Sequence, residues 1–372
     1  MKLALVVPGG VDRSGEHRVI PALLWLIERL ALQHEVHVFA LAQESRPGTW
    51  ELRGARIHNV GHGFAIVRTI HAVMREHRRS GFALVHGFWA GAPGLAAVVA
   101  ARLLGIPSLI HVAGGELSCL PDIGYGGRQR MRDRAIVWTC IRAAAVATGA
   151  SMPLLAIAGE LGYRLRRLPL GVDLRAWPPR PPRPRDVRRP ARLVHVASLN
   201  RVKDQSTLLR ALAALSADNV AFHLDLIGED TLAGSMQSLA RQLDIESHIC
   251  FHGFLIQDSV RPLVESADIM VMSSRHEAGP LALLEAAVVG VPTVGTSVGH
   301  VSEWAPEAAI ACPIADPAAL ARELGNLLRD EPRRMRIAHA AHMRALREDA
   351  DFTAAQFNVL YEEVAAGRDG PM

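Results

Sequence analysis

Two glutamates eight positions apart, Glu277 and Glu285, flank a predicted helix start in the second half of the chain. An apolar strand is predicted just upstream over 268–272, and Pro280 marks the helix start because its missing N–H costs nothing there. Backbone amides at a helix start favour an anion such as a diphosphate. At about 1.5 Å of rise per residue, Glu285 lies roughly 8 Å beyond Pro280. The two carboxylates therefore suit hydroxyls at opposite ends of one diphosphate-linked ligand. The alternative is that Glu277 interacts only with the helix dipole and that Glu285 is a solvent-exposed helix residue.

Lys203 stands out because Lys2 is the only other lysine in the chain. It precedes a predicted helix over 205–215, where a cation is mildly unfavourable next to the helix dipole. An anionic ligand explains that position better than a simple surface residue does. Lys203 is therefore a second candidate for binding a diphosphate.

The two glutamates, together with Gly279 and the Gly290-x-Pro292 turn, resemble the E-x7-E motif of retaining GT-B glycosyltransferases, and specifically their family four. The continuation over 294–303 and the upstream loop over 196–204 are similar to the same family. The resemblance covers most of residues 191–330 in the correct order. It implies an α/β fold with two Rossmann-like, doubly wound domains facing each other across a cleft.

The resemblance also implies roles for individual residues. Lys203 and Arg201 would hold the donor diphosphate, Glu285 the ribose and Glu277 the transferred sugar, so the implied catalytic residues are Glu277, Lys203 and Arg201. The implied donor-binding set is Gly9, Gly10, Arg201, Lys203, Phe254, Glu277, Gly279, Pro280, Leu281 and Glu285. Fixed cations and helix amides would stabilise the leaving group, so we expect no metal and no cofactor beyond the nucleotide-sugar co-substrate.

The first half of the chain resembles the acceptor side of the same family. Gly9-Gly10 and Gly15 are similar to its opening glycine loop, and residues 106–117 are similar to its acceptor-side strand and turn. Many members have a histidine at the position of Ala113, and His111 lies two residues earlier on the same side of an extended strand. A packed core histidine is the alternative for His111. The implied acceptor-side residues are Gly15, His111, Gly115, Glu116 and Tyr125.

The composition and the order of elements predict two domains, because 372 residues exceed one usual hydrophobic core. Alternating strands and helices predict parallel sheets. We expect an N-terminal domain over 1–177, a Pro/Arg-rich linker over 178–190, a donor domain over 191–348, and a closing helical segment over 349–372 that returns to the first domain. The linker could instead bind an SH3-like partner.

Charge and cysteine usage narrow the function classes. Four cysteines without paired or zinc-like spacing, and no signal peptide, favour a reducing cytoplasm. No apolar stretch is long enough to span a bilayer. A net charge of +4 and basic residues without interleaved aromatics argue against nucleic-acid binding. The basic helix between Arg68 and Arg79 is either a solvated face or a surface that meets the anionic inner face of the cytoplasmic membrane.

The predicted function is therefore a hexosyltransferase-type enzyme. It would move a sugar, with retention, from a nucleotide-diphosphate sugar to a glycan, lipid-linked or small-molecule acceptor, in bacterial cell-surface polysaccharide or glycoconjugate synthesis. The alternatives are a nucleotide-sugar epimerase of the same fold and a non-catalytic nucleotide-sugar-binding descendant. The sequence does not name the nucleotide, sugar, acceptor or oligomeric state.

Overall fold

The computed structural model describes residues 1–367, which divide into two compact units. Unit 1 contains Met1–Gly171 and the closing segment from Ala350, and unit 2 contains Val172–Asp349. Each unit is an α/β structure built on one sheet. The predicted α/β fold class with two parallel-sheet domains is confirmed.

The sheet of unit 1 has eight strands in the order β3-β4-β2-β1-β5-β6-β7-β8. Only β3 runs antiparallel to its neighbour among these described pairs. Strands β1, β5 and β6 are almost continuously buried, as expected for parallel strands covered on both faces. The strands are β1 (Lys2–Val7), β2 (Glu35–Ala40), β3 (Gly48–Leu52), β4 (Ala55–Asn59), β5 (Leu84–Phe88), β6 (Ser108–Val112), β7 (Val146–Gly149) and β8 (Arg166–Arg167). Five helices accompany them: α1 (Pro21–Ala31), α2 (Ala65–Arg79), α3 (Ala92–Leu104), α4 (Met131–Ala143) and α5 (Met152–Glu160).

The sheet of unit 2 has six parallel strands in the order β11-β10-β9-β12-β13-β14. They are β9 (Ala191–Val196), β10 (Phe222–Ile227), β11 (Ile249–Gly253), β12 (Ile269–Met272), β13 (Thr293–Thr296) and β14 (Ile310–Cys312). The helices are α6 (Gln205–Ala217), α7 (Ser235–Gln242), α8 (Gln257–Ser266), α9 (Leu281–Val288), α10 (Gly299–Trp304), α11 (Pro317–Arg329) and α12 (Glu331–Arg347). Loops at the carboxyl ends of β9 and β12 therefore lie side by side, since these strands are neighbours.

The last helix, α13 (Ala350–Ala365), packs in unit 1. Phe357 and Tyr361 on this helix are fully buried, and the Tyr361 hydroxyl lies 2.8 Å from Nδ1 of His86 on β5. Arg29 on α1 forms an ion pair with Asp351. The closing helix thus completes the core of unit 1.

The predicted linker over 178–190 belongs to unit 2, and the two units divide at Gly171 rather than after residue 177. The Arg183 guanidinium donates to the carbonyl of Ser266 at 2.6 Å, and the backbone N–H of Arg185 donates to Glu331 Oε1 at 2.9 Å. These bonds were not predicted, because a segment rich in proline and arginine is typical of a solvent-exposed linker. The segment is fastened along the body of unit 2.

Two consecutive helices of unit 2, α11 and α12, differ in how far the sequence indicates them. Asp316 caps α11, because its side chain accepts the Ala319 N–H at 2.9 Å and Pro317 occupies the first turn. By contrast, α12 was not anticipated, although it is a helix of 17 residues. Within residues 1–367 no helix is both long and apolar enough to cross a membrane.

Candidate functional site

The loop between β12 and α9 carries Glu277 and leads directly into the helix that contains Glu285. Helix α9 begins at Leu281, and Pro280 is the cap residue with an extended backbone rather than the first helical residue as predicted. The amides of the first turn are therefore those from Leu281 onwards. The predicted sequence of strand, glutamate loop and helix start is otherwise as expected.

Lys203 and Glu277 form an ion pair, with Nζ 2.5 Å from Oε1. The Ser274 hydroxyl donates to the same carboxylate oxygen at 2.7 Å. Both charged side chains are largely removed from water, with 25% of Lys203 and 10% of Glu277 exposed. Two residues that are 74 positions apart in sequence are thus brought into direct contact.

The loop that carries Lys203 is held by its own side chains and by its neighbour. The Asn200 side-chain oxygen accepts the N–H groups of Val202 and Lys203 at 3.2 and 3.1 Å, a local turn typical of asparagine. The Ser273 hydroxyl donates to the Lys203 carbonyl at 2.8 Å, and the Arg275 N–H donates to the Val202 carbonyl at 2.7 Å. The loops after β9 and β12 are therefore fastened together, which fixes where Lys203 meets Glu277.

Gly299, at the start of α10, lies against the Glu277 backbone. A Cβ at this position would be 2.9 Å from Glu277 Cβ and 3.1 Å from the Glu277 carbonyl oxygen. Its φ of +49° is also in the left-handed region that favours glycine. A side chain here would push the glutamate loop away, so Gly299 helps to position Glu277.

Glu285 is buried on α9, with 6% of the residue exposed. Burial raises the pKa of its carboxyl to about 8. Its partner is Gln257 at the start of α8, whose side-chain amide donates to Oε1 at 2.9 Å. The alternative of a solvated helix residue is therefore wrong, and a buried carboxyl held by a single amide needs a different explanation.

The ends of β10 and β11 meet at glycines. A Cβ on Gly228 would fall 2.0 Å from the carbonyl oxygen of Ala197, and its φ is +153°. The Gly228 N–H donates to the Gly253 carbonyl at 2.8 Å. Phe254 follows Gly253 and is 55% exposed. Arg201 is also exposed, so these two predicted donor residues lie at the surface of unit 2 rather than in the buried cluster around Glu277.

In unit 1 the predicted glycines follow β1. Gly10 has a φ of +80°, and a Cβ there would be 2.5 Å from the Ile20 side chain. Gly9 packs against Gln43, and Gly15 closes a turn by donating its N–H to the Asp12 carbonyl at 3.0 Å. These contacts give all three glycines a local structural role.

His111 lies in the core of unit 1, with none of its surface exposed. Its Nδ1 is 2.8 Å from the Thr148 hydroxyl, and its ring packs edge-on against Phe357 of α13. Burial lowers its pKa to about 3, so the ring is neutral. His111 is therefore a packed core histidine rather than an acceptor contact.

Glu116 is buried and binds the backbone of two turns. Its carboxylate accepts the N–H groups of Ala90 at 3.1 Å, Ala113 at 3.3 Å and Gly114 at 2.7 Å. Burial raises its pKa, and those amide bonds oppose the shift. Glu116 therefore organises the loops after β5 and β6. Gly115 is in close contact with Tyr125, since a Cβ there would be 2.5 Å from the tyrosine hydroxyl oxygen.

Sequence reasoning missed three side chains that support the site: Asn200, Ser274 and Gln257. The asparagine has a recognisable signal, because asparagine commonly bonds to backbone amides two or three residues ahead. Gln257 lies 28 residues from Glu285, and only the packing of α8 against the site brings it close. Ser274 lies next to the motif, but nothing in the sequence shows which way its hydroxyl turns.

One protein-family model matches the part of the chain that contains Lys203 and Glu277. The model of the family described as "Glycosyl transferases group 1" matches residues 183–344. Most of unit 2 is therefore similar to this family of glycosyl transferases. The matched range contains Lys203, Glu277 and Glu285, and it begins within the segment predicted as a linker.

Two curated relatives match different shares of the chain. The putative glycosyltransferase EpsF of Bacillus subtilis is 25% identical over 314 residues, which cover 79% of this chain and 78% of EpsF. The N-acetyl-alpha-D-glucosaminyl L-malate synthase of Bacillus anthracis is 31% identical over 141 residues, which cover 37% of this chain and 36% of that protein. The chain thus spans little more than a third of the second relative in that match.

The fold is shared with solved structures. The structure of Anabaena Alr3699/HepE in complex with UDP-glucose superposes with a TM-score of 0.76 at 17% identity, covering 98% of this chain and all of that one. The predicted GT-B fold and the resemblance to GT-B glycosyltransferases are confirmed, and these findings support an enzyme of the hexosyltransferase type.

Proposed function

We propose that the protein transfers a hexose-type sugar from a nucleoside-diphosphate sugar, with retention of the anomeric configuration. The observation that carries the proposal is the Lys203–Glu277 pair in the loops next to the start of α9, with the buried Glu285 about one turn inside that helix. A lysine, a helix start and two carboxylates at this spacing match the parts of one diphosphate-linked ligand. The UDP-glucose complex of the structurally similar Anabaena protein supports a donor of this class.

Lys203 is the proposed diphosphate ligand. An ammonium group carries three N–H donors, and Glu277 accepts one of them. The remaining donors suit phosphate oxygens, while Glu277 keeps the ammonium in place. Arg201, exposed on the same loop, adds a second cation that can approach the diphosphate.

The two glutamates are proposed to bind different parts of the donor. Glu285, held by Gln257, would bind the ribose hydroxyls, because a buried carboxyl with one amide partner has acceptor capacity left. Both bonds to Glu277 fall on Oε1, so Oε2 suits a hydroxyl of the transferred sugar. The amides of the first turn of α9 would bind the sugar or phosphate between them.

The chemistry follows from where charge develops. As the glycosidic bond loosens, negative charge grows on the leaving diphosphate and positive charge grows on the sugar. Lys203 and the positive end of α9 stabilise the negative charge on the diphosphate, and the Glu277 carboxylate stabilises the positive charge on the sugar. These groups are fixed by neighbouring bonds before the reaction begins, so little reorganisation is needed.

The proposed acceptor is a glycan, lipid-linked or small molecule, in the synthesis of a bacterial surface polysaccharide or glycoconjugate. The putative glycosyltransferase EpsF covers most of this chain, and the Bacillus anthracis relative is named for a small hydroxy acid, malate. Both are compatible with the predicted acceptor classes. Unit 1 would supply the acceptor contacts through the turns around Gly15 and Gly115.

A membrane surface is proposed as a further partner because α2 is amphipathic. Its outer face carries exposed Arg68 and Arg75, and Phe64 and Val67 near its start are 85% and 50% exposed. Cations beside exposed apolar side chains favour the surface of an anionic bilayer. The proposed location is the cytoplasmic face of the inner membrane.

A thermal-shift screen of nucleoside-diphosphate sugars tests the donor, because a ligand of the native state raises its melting temperature. We expect stabilisation by at least one nucleotide sugar and a smaller shift in Lys203→Ala. Products are then followed by NMR with and without acceptor. Product with the donor's anomeric configuration, formed only with acceptor, supports the proposal. Isomerised sugar without acceptor would identify an epimerase, and donor binding without turnover would identify a non-catalytic descendant.

A further inference from the structure

Cys250, His252 and Asp225 form a chain of contacts on one face of the sheet in unit 2. Cys250 and His252 are two residues apart on the edge strand β11, so their side chains lie on the same face. Asp225 is opposite Cys250 on β10. Cys250 Sγ is 3.9 Å from His252 Nδ1, and His252 Nε2 is 2.8 Å from Asp225 Oδ1. We infer that these residues activate the Cys250 thiol, and that Cys250 is a modification site for low-molecular-weight disulfides.

The hydrogen bond to Asp225 determines which nitrogen faces the thiol. Asp225 is 5% exposed, and its carboxylate accepts the Nε2–H of His252. In the neutral ring Nδ1 then carries the lone pair, and this is the atom that faces Cys250 Sγ. The order of thiol, imidazole and carboxylate is that of an activated nucleophile, in which a base takes the proton and a third group orients the base.

Asp225 has basic neighbours of its own, and the thiol is accessible. The His223 ring lies 3.6 Å from the Asp225 carboxylate, and the Arg192 guanidinium lies 4.0 Å from it. Cys250 is half-buried and the His252 side chain is 22% exposed, so a small reagent can approach from the open edge of the sheet.

The other cysteines provide internal references. Cys140 and Cys312 are buried, and burial raises their pKa to about 12 and about 11, respectively. Cys119 is exposed. Exposure alone would rank Cys119 first in reactivity, whereas activation ranks Cys250 first.

The reaction is a thiol–disulfide exchange. The Cys250 thiol passes its proton to His252 Nδ1, and the thiolate sulfur attacks one sulfur of the disulfide. The new S–S bond forms as the old one breaks, and the departing thiolate takes the proton from His252. Cys250 ends in a mixed disulfide with one half of the reagent, and the other half is released as a free thiol.

The test uses the full-length reduced protein with 2-hydroxyethyl disulfide, and in parallel with iodoacetamide, with the rate at each cysteine read by peptide mass spectrometry. We expect Cys250 to react about tenfold or more faster than Cys119, within the range of a positioned base. We also expect Cys250 to react faster in the folded protein than in concentrated urea, whereas burial alone can only slow it. His252→Gln and Asp225→Asn should each remove this advantage. His248→Gln, just before the same strand and packed on Phe222, should not.

Cys140 and Cys312 report whether a variant stays folded, because both should remain unreacted in an intact protein. A variant in which Cys140 or Cys312 reacts has lost its folded structure. In that case the test rests on the wild-type protein alone, through the reaction rate of Cys250 compared with that of Cys119 and with that of Cys250 in urea. The inference is overturned if wild-type Cys250 reacts no faster than Cys119, or no faster than in urea. It is also overturned if a folded His252→Gln protein keeps the wild-type rate.

Discussion

Glu285→Gln should make the protein more stable and, at the same time, a weaker binder of nucleotides. The carboxyl is buried, and burial raises its pKa from the ordinary 4.5 to about 8. Above pH 4.5 the unfolded chain releases this proton while the folded protein keeps it. The stability contributed by Glu285 is therefore full below pH 4.5, falls as pH rises towards 8, and is level beyond that.

The magnitude follows from that difference. Two and a half pH units separate pH 7 from the ordinary value, and each unit corresponds to about 1.4 kcal/mol, so burying Glu285 costs about 3 kcal/mol at pH 7. Glutamine has the same shape, has no proton to lose and keeps an oxygen for the Gln257 amide. We expect Glu285→Gln to be more stable than the wild type by that order of magnitude at pH 7, and by little near pH 5.

Urea unfolding of wild type and Glu285→Gln between pH 5 and pH 8 measures this difference. Glu307→Gln is the matched control, since Glu307 is exposed in the same unit and its neutralisation should change little. A stability difference that does not grow with pH would refute the burial argument. Calorimetry with a nucleoside diphosphate tests the functional half, and unchanged affinity in Glu285→Gln would remove the proposed ribose contact.

Four further predictions concern other parts of the chain. Lys203→Ala should lose about 2 to 4 kcal/mol of transition-state stabilisation, measured as kcat/KM, and wild-type kinetics would contradict its assignment. Glu277→Gln should bind nucleoside diphosphate nearly normally but turn over slowly; equal affinity losses in Glu277→Gln and Glu285→Gln would contradict their division. Sedimentation with anionic vesicles should fall in high salt and in Arg75→Gln, whereas equal sedimentation with neutral vesicles would exclude the membrane surface. Gly228→Ala should destabilise unit 2 by about 1–3 kcal/mol or more in urea titrations, and an unchanged midpoint would contradict the close approach to Ala197.

The elements with regular patterns were predictable from sequence. The strand over 222–227 and the cap at Asp316 follow from apolar runs and local hydrogen bonding, which depend only on neighbouring residues. Helix α12 was missed because its many arginines read as a solvated stretch, whereas Arg334 is buried and bonded to Glu331 and to the Arg183 carbonyl. Propensity and periodicity do not show such tertiary partners.

For the candidate site, the sequence indicated which residues belong together but not how deeply each one is buried. The family resemblance implied that Lys203, Glu277 and Glu285 belong to one site, and the structure places the first two in contact. The burial of Glu285 depends on how α8 and α9 pack, so the sequence left open whether it is solvated. His111 shows the opposite case: its position on a strand suggested chemistry, and the aromatic cluster with α13 makes it core.

Helix α13 has a consequence for how the protein is made. Because Phe357 and Tyr361 complete the core of unit 1, the ribosome must finish all of unit 2 before unit 1 can close. At about 5–20 residues per second, that interval is on the order of ten seconds or more. During it the face of β5 around His86 and Phe88 stays open to water or to a chaperone. Unit 2, which is continuous in sequence, has no such wait and can fold first although it is synthesised second.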